Sequence, residues 1–138
     1  MESITVSRSM DAPPEAVREA MGDLGPFMRA AGFDEVDGDG DVIRLANRVG
    51  PATIQLELVL RETDHDLAYD QREGIFKEMR TTYDVEPSGE GSEVTATTEF
   101  ALDVALVGEV LDSTIIKRQR RVELDAQFDW LETQTDDE

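Results

Sequence analysis

The stretch "VALVGEVLDSTIIKRQRRVELDAQFDWLET", residues 104–133, contains no proline and follows about seventy residues whose apolar positions alternate with a period of two. That change of period decides the fold: an antiparallel sheet followed by one long terminal helix. At 100° per residue, Leu111, Ile115, Val122 and Ala126 fall in one arc, flanked by Val107 and Thr114, and this stripe is expected to lie along the sheet. Within "KRQRR", residues 117–121, Arg118 sits beside the stripe, whereas Lys117, Arg120 and Arg121 turn toward solvent as charge balancers. Arg120 with Glu123, and Arg121 with Asp125, have the spacing of weakly stabilising helix-surface pairs.

Upstream of the helix, "SEVTATTEFAL" (92–102) turns Val94, Ala96, Thr98, Phe100 and Leu102 to one face. "IFKEMRTTYDVEP" (75–87) does the same with Met79, Thr81, Tyr83 and Val85, and "PATIQLELVLRE" (51–62) with Ile54, Leu56, Leu58 and Leu60. "LAYDQRE" (67–73) is a further strand. "FDEVDGDGDVIRLANRVG" (33–50) reads as two short strands joined by "DGDGD", where Gly38 and Gly40 supply positive φ, with Ile43, Leu45 and Asn47 on one face. "TDHD" (63–66) and "SGEG" (88–91) are turns. At the start, "SITVSRSM" (3–10) is a strand with Ile4, Val6 and either Arg8 or Met10 inward. A short helix follows in "DAPPEAVREAMGDL" (11–24), with Asp11 able to cap it, Pro13 and Pro14 in its first turn and Gly22 at its end. "GPFMRAAGF" (25–33) gives a second short helix between Pro26 and Gly32.

The 138 residues suffice for one core and one domain. Residues 1–134 are assigned to it, and 135–138 read as a frayed acidic tail. Charged residues make up 33%, above the usual quarter, and the excess is acidic: 16 Asp and 16 Glu face 11 Arg and 2 Lys, a net charge of −19. The acids are spread along the chain, which indicates an acidic surface rather than a disordered acidic segment. Dense carboxylates with Arg in place of Lys resemble the composition of haloarchaeal proteins, which fold in molar salt. The absence of cysteine excludes disulfides and thiolate chemistry. No window approaches the ~18 apolar residues of a membrane span, and the first residues lack the pattern of a signal peptide, so a cytoplasmic location is expected.

The order strand, two short helices, six strands and long helix, together with the opening "ITVSRSMDAPPEAVREAM" (4–21), resembles the START-like or SRPBCC superfamily of polyketide cyclases, lipid-transfer proteins and birch-pollen-allergen-like proteins. The likeness covers essentially the whole chain. Its motif is loose and marks fold rather than chemistry, and Arg18 departs from it where many members carry a large apolar residue. The resemblance implies an α+β helix-grip fold: a seven-stranded curved antiparallel sheet around the terminal helix, with a cavity between them for apolar or amphipathic ligands.

The residues independently point away from several chemistries. The single histidine, His65, lies in a predicted turn, which leaves no base for a nucleophilic triad and no zinc ligand set. "DGDGDV" (37–42) lacks the Gly and Glu positions of an EF-hand, because Val42 and Arg48 stand there. No phosphate loop or dinucleotide fingerprint occurs, and a charge of −19 opposes nucleic-acid binding. No catalytic residue, metal site or cofactor is assigned.

Leu45, Leu56, Leu58, Tyr69, Met79, Tyr83 and Thr98 from the sheet, with Val107, Leu111, Thr114 and Arg118 from the helix, are the candidate ligand-binding residues. The plainer alternative is that they fill one another as a core. Three functions stay open: binding of a lipid-, isoprenoid- or quinone-like molecule without catalysis, a cyclase- or dehydratase-like reaction on a carbonyl compound, and a protein-interaction module without a ligand. Arg118 is the candidate contact for an anionic or carbonyl head group.

Overall fold

The computed structural model describes residues 1–49, 51–103 and 112–135. Strand β1 (Glu2–Met10) leads into helices α1 (Pro14–Gly22) and α2 (Leu24–Arg29). Then come β2 (Glu35–Asp39), β3 (Val42–Val49), β4 (Ala52–Leu60), β5 (Leu67–Glu73), β6 (Phe76–Ser88), β7 (Gly91–Leu102) and the terminal helix α3 (Ser113–Thr135). Strands β2 to β7 form a meander, β1 adds antiparallel to β7, and the sheet order is β1-β7-β6-β5-β4-β3-β2. The α+β helix-grip arrangement is therefore observed.

The alternating pattern explains the sheet. Ile4, Val6 and Met10 on β1, Tyr83 and Val85 on β6, and Val94, Ala96 and Phe100 on β7 are buried, while their neighbours face out. Register shifts at Glu57/Leu58 and at Phe76/Glu78 interrupt the ladder, a device that bends strands and sharpens their twist. Helices α1 and α2 bridge the two edge strands and bury Val17, Met21, Phe27 and Met28 against the core.

Several details differ from the sequence reading. Asp11 does not cap α1; Pro13 takes the N-cap position without a side-chain bond, and Pro14 opens the helix. Only Gly40 of the "DGDGD" pair has positive φ, at 62°, because Gly38 is an ordinary residue of β2 paired with Ile43. The helical reading of 104–111 lies outside the described residues. The observed helix begins at Ser113, where the Asp112 carboxylate accepts from the Ile115 N–H at 3.0 Å. Thr135, assigned to the tail, belongs to the helix: it is buried and its hydroxyl donates to the Leu131 carbonyl at 2.8 Å.

The face of α3 that meets the sheet is the opposite of the expected one. Ile116, Arg120, Glu123, Leu124, Gln127, Phe128, Leu131 and Thr135 are buried. Val122 is 57% exposed, and Ile115 and Ala126 are only partly covered. Leu124, Phe128 and Leu131 carry far more apolar surface than Ile115, Val122 and Ala126, and burial follows that surface even though Arg120, Glu123 and Gln127 must go in with it.

Candidate functional site

The inward face of α3 takes Arg120 into the interior, where it is 8% exposed. A guanidinium there requires hydrogen-bond acceptors, and alternate residues of three strands provide them. Nε donates to the Thr98 hydroxyl of β7 at 2.9 Å, Nη1 to the Glu123 carboxylate at 2.9 Å, and Nη2 to the Tyr69 phenol of β5. The Thr81 and Tyr83 hydroxyls of β6 lie 3.4 Å from Nη2. Glu123 in turn accepts from the Asn47 amide at 3.2 Å and from the Gln119 amide at 3.1 Å. Tyr83 donates to Gln127 at 2.7 Å, and Gln127 donates to the Phe27 carbonyl at 3.2 Å. Among the described residues no buried side-chain polar atom lacks a partner.

These contacts fix the charge states. Burial alone pulls the Arg120 guanidinium down, but the oxygens of Tyr69 and Tyr83 and the Glu123 carboxylate outweigh it and hold the group above the ordinary arginine value. Burial pushes the Tyr83 phenol well above its usual value, and Tyr69 adds to this while Arg120 opposes it. At neutral pH Arg120 is therefore a cation and Tyr83 a neutral phenol.

One side of this network opens into a cleft between α3 and strands β3 to β7. Leu45, Ile54, Leu56, Leu58, Phe76 and Met79 form its apolar wall, Phe33 and Ile116 narrow it, and Asn47, Tyr69, Thr98, Gln119, Arg120 and Glu123 form its polar part. Its open volume is about 50 Å³. That is room for a few waters, each of which needs about 10–15 Å³.

Of the candidate ligand-binding residues, Leu45, Leu56, Leu58, Tyr69, Met79 and Thr98 line this cleft. Tyr83 lies behind it, its hydroxyl 3.3 Å from that of Tyr69. Val107 and Leu111 lie outside the described residues. Thr114 and Arg118 are exposed, because the helix turns its other face inward, so Arg118 is not beside the buried stripe and Arg120 is not a surface balancer. The Arg120–Glu123 pairing does occur, but in the interior. Asp125 lies 3.6 Å from Arg8 of β1. The sequence reading missed Arg120, Glu123, Gln119 and Asn47 as cleft residues. The available signal was that Arg120, Glu123 and Gln127 share an arc with Phe128 and Leu131. His65 occupies the β4–β5 turn, with Nδ1 2.9 Å from the Asp84 carboxylate and no part in the cleft.

Sheet, gripped helix and enclosed polar cluster define a helix-grip domain with an interior site. The chain belongs to the family described as polyketide cyclase / dehydrase and lipid transport, whose sequence profile matches residues 1–134. Among solved structures, it is similar to a protein of Thermus thermophilus at 19% identity and TM-score 0.75, covering 97% of both chains. The Zhui aromatase/cyclase of a Streptomyces species is similar at 17% identity and TM-score 0.76, covering 95% of this chain and 93% of that one. A START superfamily protein of Mycobacterium smegmatis matches at 10% identity and TM-score 0.72, covering 98% and 97%. No curated protein matches the sequence.

Proposed function

We propose that the domain binds a small hydrophobic or amphipathic molecule, of lipid, isoprenoid or quinone type, in the cleft between α3 and β3–β7. The observation that carries this reading is one apolar wall facing one concentrated polar cluster, the arrangement by which pockets hold an apolar body and orient a polar group. Arg120, not Arg118, is the cation at the polar part of the cleft. A ligand displaces the few waters the cleft can hold and spreads the half-buried side chains of Phe33, Leu56 and Phe76. Titration with a neutral apolar fluorophore should give a saturable site that Leu58→Trp, which fills the cleft, abolishes. Non-saturable binding, or equal binding by the filled variant, contradicts the reading.

A carbonyl-directed reaction is the second reading, and Tyr69 favours it. The Tyr83 proton is committed to Gln127, whereas Tyr69 faces the cleft and accepts an N–H from Arg120, which leaves its own hydroxyl proton to be offered to a carbonyl oxygen. Tyr69→Phe should then abolish turnover of a polyketide-like carbonyl substrate while retaining its binding. Absence of turnover across a panel of such substrates leaves binding as the function.

A further inference from the structure

The polar part of the cleft has a charge balance that restricts what can bind there. Among its described lining residues only two carry charge, Arg120 and Glu123, and they form an ion pair of 2.9 Å with side chains 9% exposed. The guanidinium is already engaged on all three nitrogens by Thr98, Glu123 and Tyr69. Glu123 also fixes the orientation of its neighbours. A carboxylate only accepts, so Asn47 and Gln119 must both present their NH₂ groups to it, and their carbonyl oxygens point away as further acceptors.

An incoming carboxylate or phosphate would therefore meet a cation that is already neutralised, a second carboxylate and two amide oxygens. A buried anion without its own counter-charge is strongly disfavoured. A hydroxyl has no such conflict, because it can accept from the guanidinium N–H left over and donate to an amide oxygen. We infer that the site selects uncharged, hydroxyl-bearing apolar molecules over anionic lipids such as fatty acids, and that Glu123 is the residue that sets this selectivity. The inference rests on the binding function proposed above and specifies its ligand class.

The test is displacement of the neutral fluorophore N-phenyl-1-naphthylamine by 1-decanol and by decanoate. It is run near pH 8, where the acid is ionised, and in about 1 M KCl, where a Debye length of ~3 Å removes the long-range effect of the protein's net charge. The wild type should release the probe to decanol at a lower concentration than to decanoate. Any apolar cavity disfavours an ion, so the decisive quantity is the change in that ratio. Glu123→Gln removes the internal anion and should shift the ratio toward decanoate by about tenfold or more. Gln119→Lys, at a half-buried position, adds a cation and should shift it in the same direction, which covers the case in which Glu123→Gln does not fold. A wild type that prefers decanoate, or a ratio unmoved in the folded variants, overturns the inference while leaving the binding site intact. A probe that finds no saturable site overturns the binding reading itself.

Discussion

At the scale of single residues, Arg120 carries most of the argument. Truncating it leaves Glu123 buried beside two amides without a cation, the situation in which breaking an internal pair costs about 3–5 kcal/mol. Arg120→Ala should lower the unfolding free energy by that amount and abolish probe binding, whereas Arg118→Ala, on the exposed face, should stay within about 0.5 kcal/mol of the wild type. Urea unfolding of the two variants checks this, and equal effects would contradict the assignment. This contrast also shows where the sequence was misleading. A helical wheel that ranks positions by apolar character alone selects Ile115, Val122 and Ala126, because it penalises a face that buries three polar side chains. The network that satisfies those side chains is built from Phe27, Asn47, Tyr69, Thr81, Tyr83 and Thr98, and no periodicity within the helix reveals partners on other elements. On the outer face of the sheet, Asp70 lies between Arg80 at 2.8 Å and Arg61 at 3.1 Å. Arg80 chiefly, with Arg61, holds its carboxyl below the ordinary value against the opposing effect of burial. A depressed carboxylate contributes stability above its unfolded value near 4, and this contribution is lost as pH falls through the folded value. Asp70→Asn should therefore be less stable than the wild type at pH 7, with the difference shrinking toward zero in acid; a gap that persists at low pH would exclude the ion pairs as its source.

At the scale of elements, the strands were legible because one face of the sheet is buried and period two registers that directly. The start of α3 at Ser113 was less legible, because it rests on one side chain, the Asp112 carboxylate that accepts from the Ile115 N–H, and no apolar period marks that position. Asp112→Ala should cost about 1 kcal/mol, the usual value of an N-cap. Because α3 starts only a few residues before Ile116 and Arg120, the variant should also loosen the cleft and weaken the fluorophore. The β5–β6 connection is coupled to the same wall. Gln71 accepts from the Phe76 N–H at 3.0 Å and donates to its carbonyl at 2.7 Å, which seats Phe76 at the cleft. Gly74 lies beneath this clamp with φ of 154°, and a Cβ there would come within 2.5 Å of the Gln71 Oε1 and of a Leu56 methyl. Gly74→Ala should therefore displace two wall residues, Phe76 and Leu56, and reduce probe affinity more than any other single-methyl change on the turn. Normal affinity in a folded Gly74→Ala protein would show that the wall does not depend on the clamp.

At the scale of the whole molecule, two electrostatic effects of opposite sign compete as salt is added. Surface ion pairs, such as Arg44 and Arg72 on Glu57 at 3.1 and 3.0 Å or Arg8 with Glu132 at 2.7 Å, weaken as the Debye length shrinks from about 10 Å at 0.1 M to ~3 Å at 1 M. The repulsion among carboxylates shrinks over the same range, and it involves many more groups: 32 acids face 13 bases, so even if every cation were paired one to one the remaining 19 charges would be of one sign. Each exposed pair is worth at most about 1 kcal/mol, whereas self-repulsion acts on the compact state as a whole. The interior pair of Arg120 and Glu123 contributes little to this competition because salt screens a buried pair far less. Thermal unfolding in a KCl series should therefore show a midpoint that climbs from about 0.1 M into the molar range and then levels off as the remaining repulsion is screened. A flat or falling midpoint would mean that the ion pairs outweigh the excess charge, and that the acidic surface is not an adaptation to salt.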